Sequence, residues 1–155
     1  MDAILIGAET LRTDNPRLTV RGVRGANQPW RVVLSRSGSL PRHAHLFVDR
    51  LAERTIVCNG RSLDIVLRGL GEKQITSVLI EGGGEILGQA LDQRLVDKVQ
   101  LYVGPIFTGG PVLAFAGAGA ASTGEAPRLD RVRYERIGQD VCVIGYPTYG
   151  PVSFE

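Results

Sequence analysis

The stretch Val78-Leu79-Ile80-Glu81-Gly82-Gly83-Gly84-Glu85-Ile86-Leu87 constrains this chain more than any other. Val78 to Ile80 is a short continuous apolar run, the pattern of a strand buried on both faces of a sheet. Glu81 closes it, and three glycines follow. Ile86, Leu87, Ala90, Leu91 and Leu95 then recur at helical spacing, so an amphipathic helix is expected from Glu85 to about Leu95. Strand, glycine turn and helix in that order make one unit of an α/β sheet. The glycines let the backbone come close to a ligand, and the free N–H groups of a helix's first turn favour an anion such as a phosphate. The competing reading is a flexible αβ turn that holds no ligand.

Two phosphate motifs fail here by one or two residues. Gly83 and Gly88 have the Walker A spacing, but Gln89-Ala90 stands where Lys-Ser/Thr is required. The Rossmann fingerprint needs glycines at 82, 84 and 87, and position 87 is leucine. Any nucleotide held at this turn is therefore held by backbone and helix end rather than by a P-loop lysine.

The 155 residues suit one domain with a real core. The formal charge is +2, from 18 basic and 16 acidic residues scattered along the chain, which argues against nucleic acid or an anionic membrane as the main partner. No apolar run approaches the length of a membrane span, and Met1-Asp2 opens directly onto a strand-like run, so no signal peptide is expected. Cys58 and Cys142 are far apart and each sits in an apolar stretch, as buried free thiols of a cytoplasmic protein would. His43 and His45 lack partners for a metal site, and Pro41-Arg42 marks their surroundings as loop.

Ala3 to Ile6 is a second buried-strand candidate, ended by Gly7-Ala8. A helical turn at Thr10-Leu11-Arg12 is stopped by Asp14-Asn15-Pro16, because the residue before proline avoids the α region. Leu18 to Arg21 is expected to be extended, residues 22–29 to be a loop, and Trp30 to Leu34 a strand. Residues 43–54 read as irregular or a short helix, and Thr55 to Cys58 as a strand. Ser62 is placed to cap a helix with Leu63, Val66, Leu67 and Leu70 on its apolar face and Gly71 as its terminator. Val99, Leu101 and Val103 alternate with polar neighbours as a strand, and residues 116–125 are a glycine- and alanine-rich surface loop. Arg131 to Ile137 and Val141 to Tyr146 form a hairpin across Gly138-Gln139-Asp140, followed by a proline-broken tail from Thr148. Strands alternating with helices and then turning antiparallel indicate a mixed α/β sheet in a single layered domain over residues 1–155.

Two stretches go further. Asp2 to Arg21, with Thr10-Leu11-Arg12-Thr13-Asp14-Asn15-Pro16-Arg17-Leu18-Thr19-Val20-Arg21 at its heart, resembles the signature of the riboflavin-biosynthesis pyrimidine reductases. Leu79-Ile80-Glu81-Gly82-Gly83, then Leu95-Val96-Asp97, Leu101 to Pro105 and Gly109-Gly110, resemble the same family in the same order. These reductases occur as the C-terminal half of a bifunctional deaminase–reductase and share the dihydrofolate-reductase-like fold. Dihydrofolate reductase itself lacks the Thr-x-x-x-Asp-x-Pro-x-Leu-Thr-Val-Arg run.

The resemblance implies a mostly parallel sheet flanked by helices with a C-terminal antiparallel hairpin, and an NADPH-dependent reduction of 5-amino-6-(5-phosphoribosylamino)uracil to its ribityl form. It implies Asp14 and Glu81 as catalytic residues, and Thr10, Asp14 and the run Gly83, Gly84, Glu85, Ile86, Leu87, Gly88 and Gln89 on the cofactor. Leu18, Arg21 and Glu81 would face the substrate, with Arg21 as a phosphate fork. For Asp14 the alternative is an Asx turn before Pro16, and for Arg21 an exposed strand-end arginine. After Arg31-Val32-Val33-Leu34 the family usually has Asp-Ser, whereas this chain has Ser35-Arg36, and Arg36 is a candidate for the cofactor's 2′-phosphate. The zinc motif of the deaminase half is absent from these residues, so no zinc is expected. Family members dimerise, which makes a homodimer an expectation that no patch in this sequence displays.

By the same resemblance the family's first strand and first helix lie outside these 155 residues. That strand would sit between Val78–Ile80 and Val99–Val103, so an open slot is expected there, without a direct ladder between the two. The rival to an active reductase is a non-catalytic nucleotide-binding module of the same fold.

Overall fold

The apolar runs of the first half become parallel strands, each followed by a helix or turn that returns the chain to the same end of the sheet. A computed structural model of the chain describes residues 1–150. It contains β1 (Ala3–Gly7), α1 (Ala8–Asp14), β2 (Trp30–Ser35), α2 (His45–Val48), a 3₁₀ turn (Ala52–Arg54), β3 (Thr55–Asn59), α3 (Leu63–Glu72), β4 (Val78–Ile80), α4 (Gly84–Asp92), β5 (Val99–Val103), β6 (Arg128–Ile137) and β7 (Asp140–Thr148). Two compact units divide between Leu87 and Gly88.

The first unit carries a parallel sheet in the order β3-β2-β1-β4. β1 is paired on both sides, and Ala3, Leu5 and Ile6 are buried as its apolar run requires. Leu11 of α1, with Ala44 and Leu46, packs on Ile6 and Val33 in one buried cluster. Truncating one such leucine to alanine costs roughly 2–5 kcal/mol. Among the described residues β4 is the edge strand, paired with β1 alone, and its burial departs from expectation: Leu79 is exposed where burial on both faces is expected. Asp2 clasps β1 to the start of β4, its Oδ2 accepting from Thr76 N, Thr76 Oγ1 and Ser77 N at 2.9–3.0 Å.

Helix ends show where local rules were overridden. Gly71 lies inside α3, and the terminator is Gln74 at φ 62, with Ile75 N–H reaching Leu70 O and Gln74 N–H reaching Gly71 O. This is the left-handed double-bonded cap usually built on glycine. Arg94 at φ 57 closes α4 in the same way, and the helix ends at Asp92, three residues before the expected limit at Leu95. Ser62 occupies the N-cap position of α3, but its hydroxyl donates to Asp64 Oδ1 rather than serving a backbone amide.

The second unit carries an antiparallel sheet in the order β5-β7-β6. The hairpin of β6 and β7 is longer at both outer ends than the alternation suggested, and it turns through Gly138 at φ 64. The register shifts between Asp130 and Arg133, where Arg131 takes φ 48 and its guanidinium lies 4.1 Å from the Tyr146 ring centroid. Asp92 at the end of α4 receives the amides of Ala118 and Gly119 at 2.8 and 3.2 Å, pinning the glycine-rich loop. Of the expected tail, residues 151–155 lie outside the described residues.

The α/β class, the mostly parallel strands and the terminal hairpin stand, with the strands shared between two sheets rather than one. Among the described residues β4 pairs with β1, and β5 with β7.

Candidate active site

Strand β1 delivers the chain straight into α1, with Gly7 at the N-cap. Thr10 and Asp14 are therefore four residues apart on one helix face. Asn15 ends the helix in the left-handed region at φ 41, its N–H reaching Leu11 O at 3.1 Å, and its Oδ1 accepts the amide of His45 at 2.9 Å. The loop that follows is not extended as expected. Leu18 sits at φ 49, and residues 15–20 form no strand. Tertiary bonds impose this shape: Gln28 grips Val20 through both backbone groups at 3.0 and 3.2 Å, and Arg31 holds the Arg17 carbonyl at 3.3 Å.

These elements enclose a cavity of about 510 Å³ at the C-terminal ends of β1 and β4. Thr10, Asp14, Leu18, Arg21 and Glu81, all singled out from the sequence, line it together. Arg17 and His45 line it too and were not foreseen, since Pro41-Arg42 gave only a loop signal for His45. Such a position beyond the strand ends is where open α/β sheets collect ligands. Two carboxylates and two guanidiniums share the cavity, so it can pair with hydrogen-bond donors and with an anion in one ligand.

The glycine turn is tied to the same sheet. Glu81 N–H bonds Leu5 O and Gly7 N–H bonds Gly82 O, each at 3.1 Å, so the turn continues the β1–β4 ladder. Gly82 takes φ 128 and the Gly82–Gly83 peptide is cis. Gly83 backs onto Thr10, where an added Cβ would lie 3.3 Å from Oγ1. Ile86 and Leu87 both donate to Gly83 O, leaving the amides of Gly84 and Glu85 without intrahelical partners. The remaining members of the run do different work. Ile86 is buried against the end of β1, and at Gly88 a Cβ would collide with the Ala116 carbonyl. Ser35 is buried with its Oγ accepting from Gly38 N–H at 3.0 Å, whereas Arg36 is exposed and pairs with Glu85 at 3.1 Å.

Behind the cavity Arg31 is fully buried, its two terminal nitrogens on the two oxygens of Asp49 at 2.7 and 3.0 Å. These bonds hold the Asp49 carboxyl below the usual carboxylate range, against the opposing effect of burial. Removing one partner of such a pair costs roughly 3–5 kcal/mol, because the other is left as an uncompensated charge.

The family model described as the RibD C-terminal domain matches residues 1–143. The chain belongs to the RibD C-terminal domain family. Its relatives include the riboflavin biosynthesis protein RibD of Mycobacterium tuberculosis, 34% identical over 145 residues that cover 92% of this chain and 41% of that one. A second is the 2,5-diamino-6-ribosylamino-4(3H)-pyrimidinone 5′-phosphate reductase of Archaeoglobus fulgidus, 30% identical over 92% of this chain and 78% of that one. Among solved structures, Acinetobacter baumannii RibD superposes with a TM-score of 0.81 at 26% identity, over 94% of this chain and 47% of that one. The deaminase/5-amino-6-(5-phosphoribosylamino)uracil reductase of Thermotoga maritima gives 0.79 at 27% identity, over 95% and 45%. This RibD-type chain spans 41–47% of the length of the first curated relatives it matches.

Proposed function

We propose that the chain is a reductase domain of riboflavin biosynthesis, reducing the ribosyl group of a phosphorylated aminopyrimidine, 5-amino-6-(5-phosphoribosylamino)uracil, with NADPH. The observation that carries this reading is convergence: residues from two distant stretches, Thr10 to Arg21 and Glu81, line one cavity beside the glycine turn. The printed activities of the Archaeoglobus and Thermotoga relatives support a ribosylaminopyrimidine phosphate as the substrate class.

The residues present fit a dinucleotide. Among the described residues nothing stands within 4 Å of where a Cβ would lie on Gly82, so the backbone is open to close approach. The amides of Gly84 and Glu85, which have no intrahelical partners, would hold the pyrophosphate, with Thr10 and Asp14 toward the nicotinamide. When bound, NADPH supplies the hydride. Arg21 binds the substrate phosphate, and Glu81 accepts hydrogen bonds from the pyrimidine or sugar. The ribosylamine must open to an imine before its C1′ can be reduced, and the negative charge of Asp14 favours the protonated, cationic form of that imine. Leu18 and Ile4 give the cavity an apolar side that helps exclude water.

The test is loss of NADPH absorbance on mixing with the ribosylaminopyrimidine phosphate. Turnover supports the reductase, and NADPH binding without turnover returns the chain to the non-catalytic module.

A further inference from the structure

Arg31 heads the fully buried side chains of the described residues, yet the chemistry above makes no use of it. It stands on β2, which is paired on both sides and so forms a rigid base. Its Nη1 reaches the Arg17 carbonyl at 3.3 Å as well as Asp49 Oδ2, and its Nη2 reaches the Leu46 carbonyl at 3.0 Å as well as Asp49 Oδ1. Asp49 is itself fixed, its Oδ1 accepting the Leu51 amide at 2.9 Å. One planar guanidinium thus joins three separate points of the chain to a central strand. Two of those points adjoin the cavity: Arg17 lines it, and Leu46 follows His45, which lines it.

We propose that Arg31 is a positioning residue for the substrate, setting the loop at Arg17 and the start of α2 at fixed places around the cavity. The chemistry demands arginine. A lysine ammonium is a single point and cannot serve both carboxylate oxygens and two carbonyls at once, whereas a guanidinium carries donors in a fixed plane. The two points are not equally dependent on it. Leu46 O also accepts from Thr55 Oγ1 at 2.8 Å, while the Arg17 carbonyl has Arg31 alone among the bonds of the described residues. Loss of Arg31 therefore releases the loop before Arg21 more than it releases α2. The inference rests on the cavity being the seat of a phosphorylated substrate, as proposed above.

The experiment is Arg31→Lys, read in two ways on the folded chain. Amide hydrogen exchange should quicken in residues 17–21 and, less so, in 45–48, with the β1 and β2 amides still protected. Affinity for ribose 5-phosphate, the probe, should fall by about tenfold to a hundredfold, the size of effect a misplaced binding group produces, with NADPH affinity unchanged. A merely structural role predicts exchange rising across β1 and β2 together, or unchanged affinity for the probe, and either result overturns the proposal. Should Arg31→Lys fail to fold, Asp49→Asn weakens the same grip with the arginine in place. It must show the same pattern at smaller size, and unaltered exchange and affinity in it overturn the proposal too. If the wild-type chain binds neither ribose 5-phosphate nor the aminopyrimidine phosphate, the functional reading fails. In that event quickened exchange at 17–21 alone still sustains the positioning of the loop, and its absence removes that as well.

Discussion

Arg36 Nη2 lies 3.1 Å from Glu85 Oε2, which joins the end of β2 to the first turn of α4. Both side chains are exposed, so the pair adds little to stability. Its consequence is placement: a guanidinium stands beside the turn proposed for the cofactor, next to a serine already committed to Gly38. Arg36→Ala is expected to weaken NADPH binding by about tenfold to a hundredfold, for loss of a charged hydrogen bond of about 1.5–3 kcal/mol. NADH binding and the melting temperature should be unaffected. Equal loss for both cofactors would remove Arg36 from the 2′-phosphate.

Gly83→Val tests the turn itself. A side chain there would crowd Thr10 Oγ1 and cover the amides of Gly84 and Glu85, while Gly83 has no positive φ that forbids a side chain. The fold should hold, and NADPH affinity should drop about tenfold or more. A folded Gly83→Val protein with wild-type NADPH affinity would place the pyrophosphate elsewhere.

Substrate contacts separate in the kinetics. Arg21→Ala should raise KM by a factor of about ten to a few hundred with kcat little changed, as loss of a binding contact does. Asp14→Asn keeps the shape and removes the charge, so turnover should suffer at least as much as KM. Wild-type kinetics in both would make Asp14 a helix-end residue and Arg21 a surface arginine.

The clasp at Asp2 makes an acid-limb prediction. Hydrogen bonds from Ser77 and Thr76 lower its pKa from 3.8 to about 2. A carboxylate depressed in the folded state stabilises above its unfolded pKa, and that contribution is lost as pH falls through the folded value. Asp2→Asn should therefore melt at a lower temperature than wild type at neutral pH, with the gap closing between about pH 4 and pH 2. A gap constant across that range would mean the bonds do not depend on charge.

What was legible in the sequence follows from how local each signal is. The runs from Ala3 to Ile6, Trp30 to Leu34 and Thr55 to Cys58 and the spacing of Leu63, Val66 and Leu70 are short-range patterns, and each forms its element, the three strands one residue longer than read. Leu18 departs from the extended reading because a leucine at φ 49 contradicts its own preference, and bonds from Gln28 and Arg31, 8 and 14 residues from the groups they hold, shape the loop around it. Gln74 and Arg94 ended helices in a conformation that letters favour for glycine. The burial of Arg31 was invisible, since its partner Asp49 is 18 positions on and lies in a stretch with weak pattern. Val78 to Ile80 looked doubly buried, but strand order, which decides burial, is a property of the whole sheet. The cavity members Thr10, Asp14, Leu18, Arg21 and Glu81 follow from family likeness, while Arg17 and His45 reach the cavity only through tertiary folding.

The most direct test of the reductase reading follows the hydride. NADPH carrying deuterium at the transferable position of its nicotinamide is incubated with the chain and the ribosylaminopyrimidine phosphate, and the product is examined by mass spectrometry and NMR. The expected result is a ribityl product with deuterium at C1′. A ribityl product without deuterium, or NADPH bound with no ribityl product formed, would contradict it.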